Sequence, residues 1–180
     1  MIAPPEHCAE CGFEASSVEP VGAADTIRSL GRRFRAPLSR FLPGEDGDTL
    51  VRQRPDATTW SALEYAAHMR DVIALWSSAL HKAITEDRPR LPAPPPDIAD
   101  RTAAEAHYNA QDPATVANEL AANAERMGAK VDKVGPDGWG RAMMIGDEEL
   151  TALQIVRKVA HEGHHHLLDV GRVLRTVRGR

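Results

Sequence analysis

The stretch TALQIVRKVAHEGHHHLLDVGRVLRT, residues 151–176, indicates the fold class, because it has the pattern of one long amphipathic helix. At about 100° per residue, its apolar side chains fall on one arc of the helical wheel, from about 120° to about 280° relative to His161. A helix with one apolar face must bury that face against other elements of the fold. The residues of this predicted core face, with Val177 beyond the stretch, are Leu153, Ile155, Val156, Val159, Ala160, Leu167, Val170, Val173, Leu174 and Val177.

The histidines of this helix divide into two sets by their direction. Glu162 at about 100° and His166 at about 140° lie one turn apart at the margin of the core face. His161 at about 0° and His165 at about 40° form a second pair that points outward, while His164 at about 300° belongs to neither set. The helix therefore offers two separate pairs of metal-binding side chains.

Three further helical stretches precede this one, and Pro- and Gly-rich segments separate them. In the second, Ser61 followed three residues later by Glu64 predicts a capping box. Four helices of this length with one long crossing predict an all-α, four-helix bundle. The predicted segments are a helix at 23–41, a helix at 61–86, a Pro-rich crossing at 88–96, a lead-in helix at 103–112 broken at Pro113, a helix at 114–134, and a loop with a short hairpin at 135–148.

Length and composition restrict the class of protein. A chain of 180 residues is most simply one domain, which we divide into an N-terminal CxxC segment, 1–20, and the bundle, 21–180. A net charge of −4 provides no basic field for nucleic acid, and no window approaches a membrane span. We therefore expect a cytoplasmic protein that acts on a small molecule, with neither nucleic acid nor membrane as a partner.

A single inward histidine on the second helix completes the first candidate metal site. His68 lies at the edge of an apolar face and could meet Glu162 and His166. Two imidazoles and one carboxylate, with a position left for water, form a catalytic zinc pattern, although nickel, iron or manganese would also be tolerated. The alternative is a hydrogen-bonded core histidine beside an intrahelical Glu–His pair. The apolar face consists of Tyr65, Met69, Val72, Ile73, Leu75, Trp76, Ala79 and Leu80.

The only two cysteines, Cys8 and Cys11, have the CxxC spacing of a zinc knuckle. Structural zinc takes four ligands, so the outward pair, His161 and His165, is of the right kind to complete a second, structural zinc site. His7 is an alternative third ligand. The competing interpretation is a free dithiol beside a polar helix face.

Two segments resemble the signature regions of the DinB-like superfamily: WSALEYAAHMRDV, residues 60–72, and GWGRAMMIGDEELTALQIVRKVAHEGHHHLLDVGRVL, residues 138–174. The last helix is most similar to the mycothiol-dependent maleylpyruvate isomerase branch, whose Glu-x-x-x-His followed by Asp matches Glu162, His166 and Asp169. The more common His-x-x-x-His of the superfamily would instead match His161 and His165. The resemblance implies an up-down-down-up four-helix bundle with His68, Glu162 and His166 as metal ligands. Because DinB-like bundles often pair through helix faces, it also implies a homodimer as an expectation.

The same resemblance implies thiol chemistry, in which a metal-dependent transferase joins a low-molecular-weight thiol to an electrophile. The alternatives are a metal-dependent hydrolase and a non-enzymatic, zinc-stabilised binding or stress-response protein. A filled inner site, with His164 or Asp169 as a fourth ligand, would favour the non-enzymatic alternative. The motif assigns no catalytic or thiol-binding residue. Candidate pocket residues are Tyr65, Met69 and Trp139. The Arg141 side chain could attract a carboxylate of the substrate.

Overall fold

The computed structural model describes residues 3–179 and is predominantly helical, which confirms the predicted fold class. Residues 1 and 2 of the predicted N-terminal segment and residue 180 of the predicted bundle lie outside the described residues. The helices are α1 (Ala23–Ser39), α2 (Gly47–Arg52), α3 (Ala62–Thr85), α4 (Ile98–Glu105), α5 (Pro113–Val131) and α6 (Ala152–Val177), and the strands are β1 (Arg90–Leu91), β2 (Ala142–Ile145) and β3 (Glu148–Thr151).

The four long helices, α1, α3, α5 and α6, form the bundle. Helix α5 packs against both α1 and α3, and α6 packs against the same two helices from the opposite side. Helices α1 and α3, although they are consecutive long helices, therefore lie diagonally opposite each other in the bundle. Helices α1 and α5 are antiparallel, since Arg28 bonds Glu125 while Arg35, further along α1, bonds Asn118. This direction is the one that the up-down-down-up topology requires of the first and third long helices.

The Pro-rich crossing allows α3 and α5 to run in the same direction. Arg70 bonds Glu119 near the start of both helices, and Lys130 bonds the Ser77 carbonyl nearer their ends. Because α4 and the crossing return the chain to the starting end of α3, the third long helix is parallel to the second.

Local capping explains where the helices begin. The predicted box at the start of α3 is present: the Ser61 hydroxyl accepts from the Glu64 amide, and the Glu64 carboxylate accepts from the Ser61 amide. The lead-in helix differs from the prediction, because α4 ends before His107, whose φ of 49° is left-handed. Pro113 is the first residue of α5 rather than the break in an earlier helix, since a proline fits the first helical turn.

A small sheet closes one end of the bundle, between the end of α3 and the start of α6. The predicted hairpin is present as the antiparallel pair of β2 and β3, joined through Gly146, whose φ is 58°. Strand β1 of the Pro-rich crossing adds a parallel partner to β2. The sheet was not predicted in this form because a two-residue strand has no recognisable periodicity.

The core is built mainly from aliphatic side chains and alanine, since only 4% of the residues are aromatic. Helices α1 and α5 approach closely at Gly31, where an added Cβ would lie 2.9 Å from the Ala121 Cα. The N-terminal segment contributes buried Phe13 and Val18 to the same core. Within residues 3–179, no helix is both long and apolar enough to cross a membrane.

Candidate metal centres

The structure brings together the three residues predicted for the inner site. His68 extends from α3, and Glu162 and His166 extend from α6 one turn apart. One donor atom from each of the three lies within 4.8 Å of the others, and all three side chains are partly buried. The His68 and His166 rings have centroids 5.2 Å apart and are nearly perpendicular, with an interplanar angle of 83°. This arrangement can provide three ligands to one divalent ion.

Asp169 fixes the orientation of His166. Its Oδ2 lies 3.0 Å from His166 Nδ1, while Nε2 of the same ring lies 3.4 Å from Glu162 Oε2. A carboxylate bound to one imidazole nitrogen leaves the other nitrogen directed at a metal, as is usual for histidine ligands. Asp169 therefore has the position of a supporting residue for the inner site.

The protonation states of two inner-site residues suit a metal. Burial, together with the charge of His166, lowers the pKa of His68 to about 4, so its ring is neutral near pH 7. Burial alone would raise the pKa of Glu162, but His166 and Lys158 more than offset that effect and lower it well below its ordinary value. A neutral imidazole and an ionised carboxylate are the forms that coordinate metals. The donor set therefore fits a divalent ion.

Without a metal, nearby groups balance the charges of this site. Lys158 Nζ lies 2.9 Å from Glu162 Oε1. Burial opposes a charge on His166, but hydrogen bonds to Asp169 and Glu162 outweigh burial and raise its pKa above the ordinary value. A bound cation would take over this balancing role, since it would compete with the proton on His166 for the same electrons.

A cleft of about 360 Å³ reaches the inner site from the side covered by α4 and the Pro-rich crossing. His68 and Glu162 lie in its wall, so the inner site faces a space that a small molecule can enter. The walls are mostly apolar, with Asp71 and Lys158 as charged groups. The remaining lining residues are Val72, Leu75, Trp76, Pro94, Ile98, Ala99, Thr102 and Tyr108.

The apolar face predicted for α3 is not wholly buried, because part of it forms this cleft. Leu75 is 60% exposed although its position on the wheel predicts burial. Asp71, which the sequence did not single out, accepts from the Tyr108 hydroxyl at 2.6 Å and pairs with Arg70. Lys158 was also missed, although its position four residues before Glu162 is the spacing of a helical ion pair.

The three candidate pocket residues and Arg141 lie in different places, and none of them is among the residues that line this cleft. Tyr65 packs on His166, with ring centroids 5.3 Å apart. Met69 is fully buried, because one residue beyond His68 the helix turns its side chain into the core. Trp139 and Arg141 were wrongly placed: they precede β2, and Arg141 donates to the Ala83 and Glu86 carbonyls at the far end of α3.

A second cluster lies on the outer face of α6. One ligand atom each from Cys8, Cys11, His161 and His165 lies within 4.8 Å of the others, and Cys8 Sγ is 3.7 Å from His165 Nδ1. The cysteines are thus brought together with the outward histidine pair. Both His161 nitrogens are buried without a hydrogen-bond partner in the described structure, so this ring is not placed there by ordinary hydrogen bonding.

The two thiols have different environments. The pKa of the Cys8 thiol is lowered to about 6, mainly by the His161 imidazole and secondly by a backbone hydrogen bond at Cys11. The contact between Cys8 and His161 nevertheless lacks the geometry of an ordinary hydrogen bond. Burial raises the pKa of Cys11. A thiolate at Cys8 beside an imidazole pair has the chemistry of a zinc ligand set.

His164 and Asp169 each contact a member of a cluster without adding a converging ligand atom to it. His164 Nε2 lies 3.0 Å from the Cys11 carbonyl oxygen, and Asp169 contacts His166. Among the described residues, neither side chain belongs to a group whose ligand atoms converge within 4.8 Å. Within residues 3–179, the group at the inner site therefore has three candidate protein ligands and no fourth.

Comparisons with known proteins match the chain to a family and to a solved structure of similar fold. The family model of the DinB superfamily matches residues 32–170. The solved structure described as "YfiT from Bacillus subtilis is a probable metal-dependent hydrolase with an unusual four-helix bundle topology" is similar in fold, with a TM-score of 0.75. It is 14% identical, and the match covers 98% of this chain and 93% of YfiT. No curated protein matches the sequence.

Proposed function

Because the chain belongs to the DinB superfamily, we propose that it is a metal-dependent transferase that joins a low-molecular-weight thiol, such as mycothiol, to an electrophile. His68, Glu162 and His166 are the proposed ligands, and zinc is the proposed metal. The observation that carries the proposal is the juxtaposition of these three donors at the wall of an apolar cleft. A divalent ion held there would lower the pKa of a coordinated thiol and keep it deprotonated near neutral pH.

The surrounding residues favour a thiol as the nucleophile. A bound ion can activate either water or a thiol, but a thiol is already the stronger acid and needs a smaller lowering of its pKa. Asp71, the other carboxylate in the cleft wall, already accepts a hydrogen bond from Tyr108 and pairs with Arg70, so its oxygens are occupied by protein partners. The apolar walls at Val72 and Trp76 would hold the carbon skeleton of the electrophile and exclude water.

The proposed reaction balances as a substitution. The thiol loses its proton to solvent, the sulfur lone pair forms the new carbon–sulfur bond, and the leaving group departs with its bonding electrons. With chlorodinitrobenzene as electrophile, the products are the thioether, chloride and a proton. Lys158 lies in the cleft wall and pairs with Glu162 at 2.9 Å. Once an ion binds Glu162, the Lys158 ammonium would be available to attract an anionic group of either substrate.

Hydrolysis is the second candidate function. The solved structure of YfiT is described as that of a probable metal-dependent hydrolase, and it has the same fold. The ligands would be the same, and the nucleophile would be water. The two functions differ in whether turnover requires the added thiol.

We would incubate the zinc-loaded protein with mycothiol and chlorodinitrobenzene, and separately with a nitrophenyl ester without thiol. Thioether formation that requires the protein, the metal and the thiol would support the transferase, whereas ester cleavage without thiol would favour the hydrolase. Absence of both reactions in a zinc-loaded protein would contradict an enzymatic role toward these probes and favour the non-enzymatic alternative.

Three variants link any activity to the site. Glu162→Gln/His166→Ala should lose the inner metal ion and turnover, whereas His81→Ala, which changes an exposed histidine on the same helix as His68, should retain both. Ala99→Trp should keep the metal but lose turnover, because the indole would fill part of the cleft. Full activity in Ala99→Trp would refute the assignment of this cleft as the substrate site.

A further inference from the structure

The outer cluster on α6 carries an inference that is independent of the proposed activity. We propose that Cys8, Cys11, His161 and His165 bind a structural zinc ion that fastens the N-terminal segment to the outer face of α6. Two thiolates and two imidazoles are the ligand set of closed, tetrahedral zinc sites, which need no substrate position. The four donors come from two segments, residues 8–11 and residues 161–165, which are about 150 residues apart in sequence. The ion would therefore connect distant parts of the chain.

His161 provides the first argument. Its two ring nitrogens are buried and have no hydrogen-bond partner among residues 3–179, whereas buried polar atoms in native proteins are almost always satisfied. Phe13 covers the ring, with centroids 5.3 Å apart, and so blocks one approach of water. A metal ion bound to one nitrogen would account for an imidazole held beside two sulfur atoms without any other polar contact.

His165 provides the second argument, because its two nitrogens have different environments. Nδ1 is 3.7 Å from Cys8 Sγ, and Nε2 is 3.5 Å from Glu10 Oε2 and 3.7 Å from Asp169 Oδ2. With zinc on Nδ1, the proton on Nε2 would point toward carboxylates. This carboxylate–histidine–metal sequence is the usual support for a zinc-bound imidazole.

The turn that carries the cysteines is already formed. The Gly12 amide donates to the Cys8 carbonyl at 2.8 Å, and the Cys8 amide donates to the Phe13 carbonyl at 2.9 Å. Gly12 has φ of 72°, a conformation that glycine adopts without strain. Buried Phe13 anchors the turn in the core, so both thiols are presented to α6 by an ordered segment.

The helix itself keeps the two sites separate. His161 and His165 are offset by one residue from Glu162 and His166, which turns the pairs about 100° apart on α6. No ligand needs to be shared, and each pair faces a different part of the fold. A zinc ion on the outer pair would hold α6 in the rotation that directs the inner pair at His68.

Metal content tests this proposal in the full-length chain. We expect about two metal ions per chain in the wild type, and about one in both Cys8→Ser/Cys11→Ser and Glu162→Gln/His166→Ala. The matched control is His7→Gln, because His7 adjoins Cys8 but is exposed and bonded to Glu14 at 2.6 Å. Its metal content should equal that of the wild type. An unchanged metal content in the folded double cysteine variant would overturn the proposal.

Cobalt replacement gives a second measurement that does not depend on a variant that folds poorly. Wild-type protein loaded with Co²⁺ should show the sulfur-to-cobalt charge-transfer absorption of a tetrahedral thiolate site, and Glu162→Gln/His166→Ala should retain it. Its absence from the reduced wild type would refute the thiolate site, as would a Cys8–Cys11 disulfide in protein purified without oxidant. Neither result would affect the inner site, whose ion is measured in the double cysteine variant.

Discussion

Replacement of Asp169 by asparagine tests whether the inner site is an organised metal centre. The Asp169 carboxylate lies 3.0 Å from His166 Nδ1. Burial alone would raise the pKa of Asp169, but His166, His165 and Arg172 outweigh burial and lower it below the ordinary value. Asp169→Asn keeps the shape of the side chain but removes the charge. Loss of such a supporting group typically weakens metal binding by about 10- to 100-fold. That range corresponds to about 1.4–2.7 kcal/mol of binding free energy.

The assay is a zinc titration of the metal-free protein against a chromophoric chelator. Because Asp169 also lies 3.7 Å from His165, the titration should use the Cys8→Ser/Cys11→Ser background, in which the outer site is removed. Arg172→Gln is the control, since Arg172 contacts the other oxygen of Asp169 from a half-exposed position and should change the affinity little.

Two results would refute the reasoning about Asp169. Wild-type affinity in Asp169→Asn would show that the contact with His166 does not orient the ligand. A complete loss of zinc, equal to that of His166→Ala, would show that Asp169 is itself a ligand.

Two further predictions concern the stability of the bundle, measured by chemical unfolding of the metal-free protein. Gly31→Ala should lower the free energy of unfolding by about 1–3 kcal/mol, because its Cβ would lie 2.9 Å from the Ala121 backbone. The control Gly171→Ala has its nearest contact at 3.6 Å and should raise it by up to about 1 kcal/mol. Glu64→Gln should lower the free energy of unfolding by about 1–3 kcal/mol, since Glu64 is 2% exposed and accepts hydrogen bonds from the Arg54 guanidinium.

The Glu64 prediction also has a pH dependence with a defined sign. Burial opposes ionisation of Glu64, but Arg54 and the capping bonds of Ser61 outweigh it, and its pKa falls below the ordinary value. The unfolded chain then binds more protons at this carboxyl, so its stabilising contribution is present above the ordinary pKa and is lost as pH falls through the folded pKa. Glu64→Gln should therefore show a smaller acid-induced loss of stability than the wild type. Equal acid sensitivity in the two proteins would contradict this account.

The sequence alone was sufficient to predict the four long helices and to separate two faces of the last one. Periodicity along one helix is local information, and it separated the Glu162/His166 pair from the His161/His165 pair before any tertiary contact was known. The capping box at Ser61 was recognisable for the same reason, because all of its bonds lie within four residues.

The tertiary structure decided which residues share a site. Wheel positions cannot show that α4 and the crossing leave Leu75 exposed in a cleft, or that Arg141 lies at the far end of α3. They also cannot show that Cys8 reaches His165, since a contact between residues 157 positions apart depends on the path of the whole chain. The sequence determined which faces carry metal-binding groups, because helical geometry repeats every few residues. The order and crossing of the helices determined which faces meet, because those contacts arise only when the core is packed.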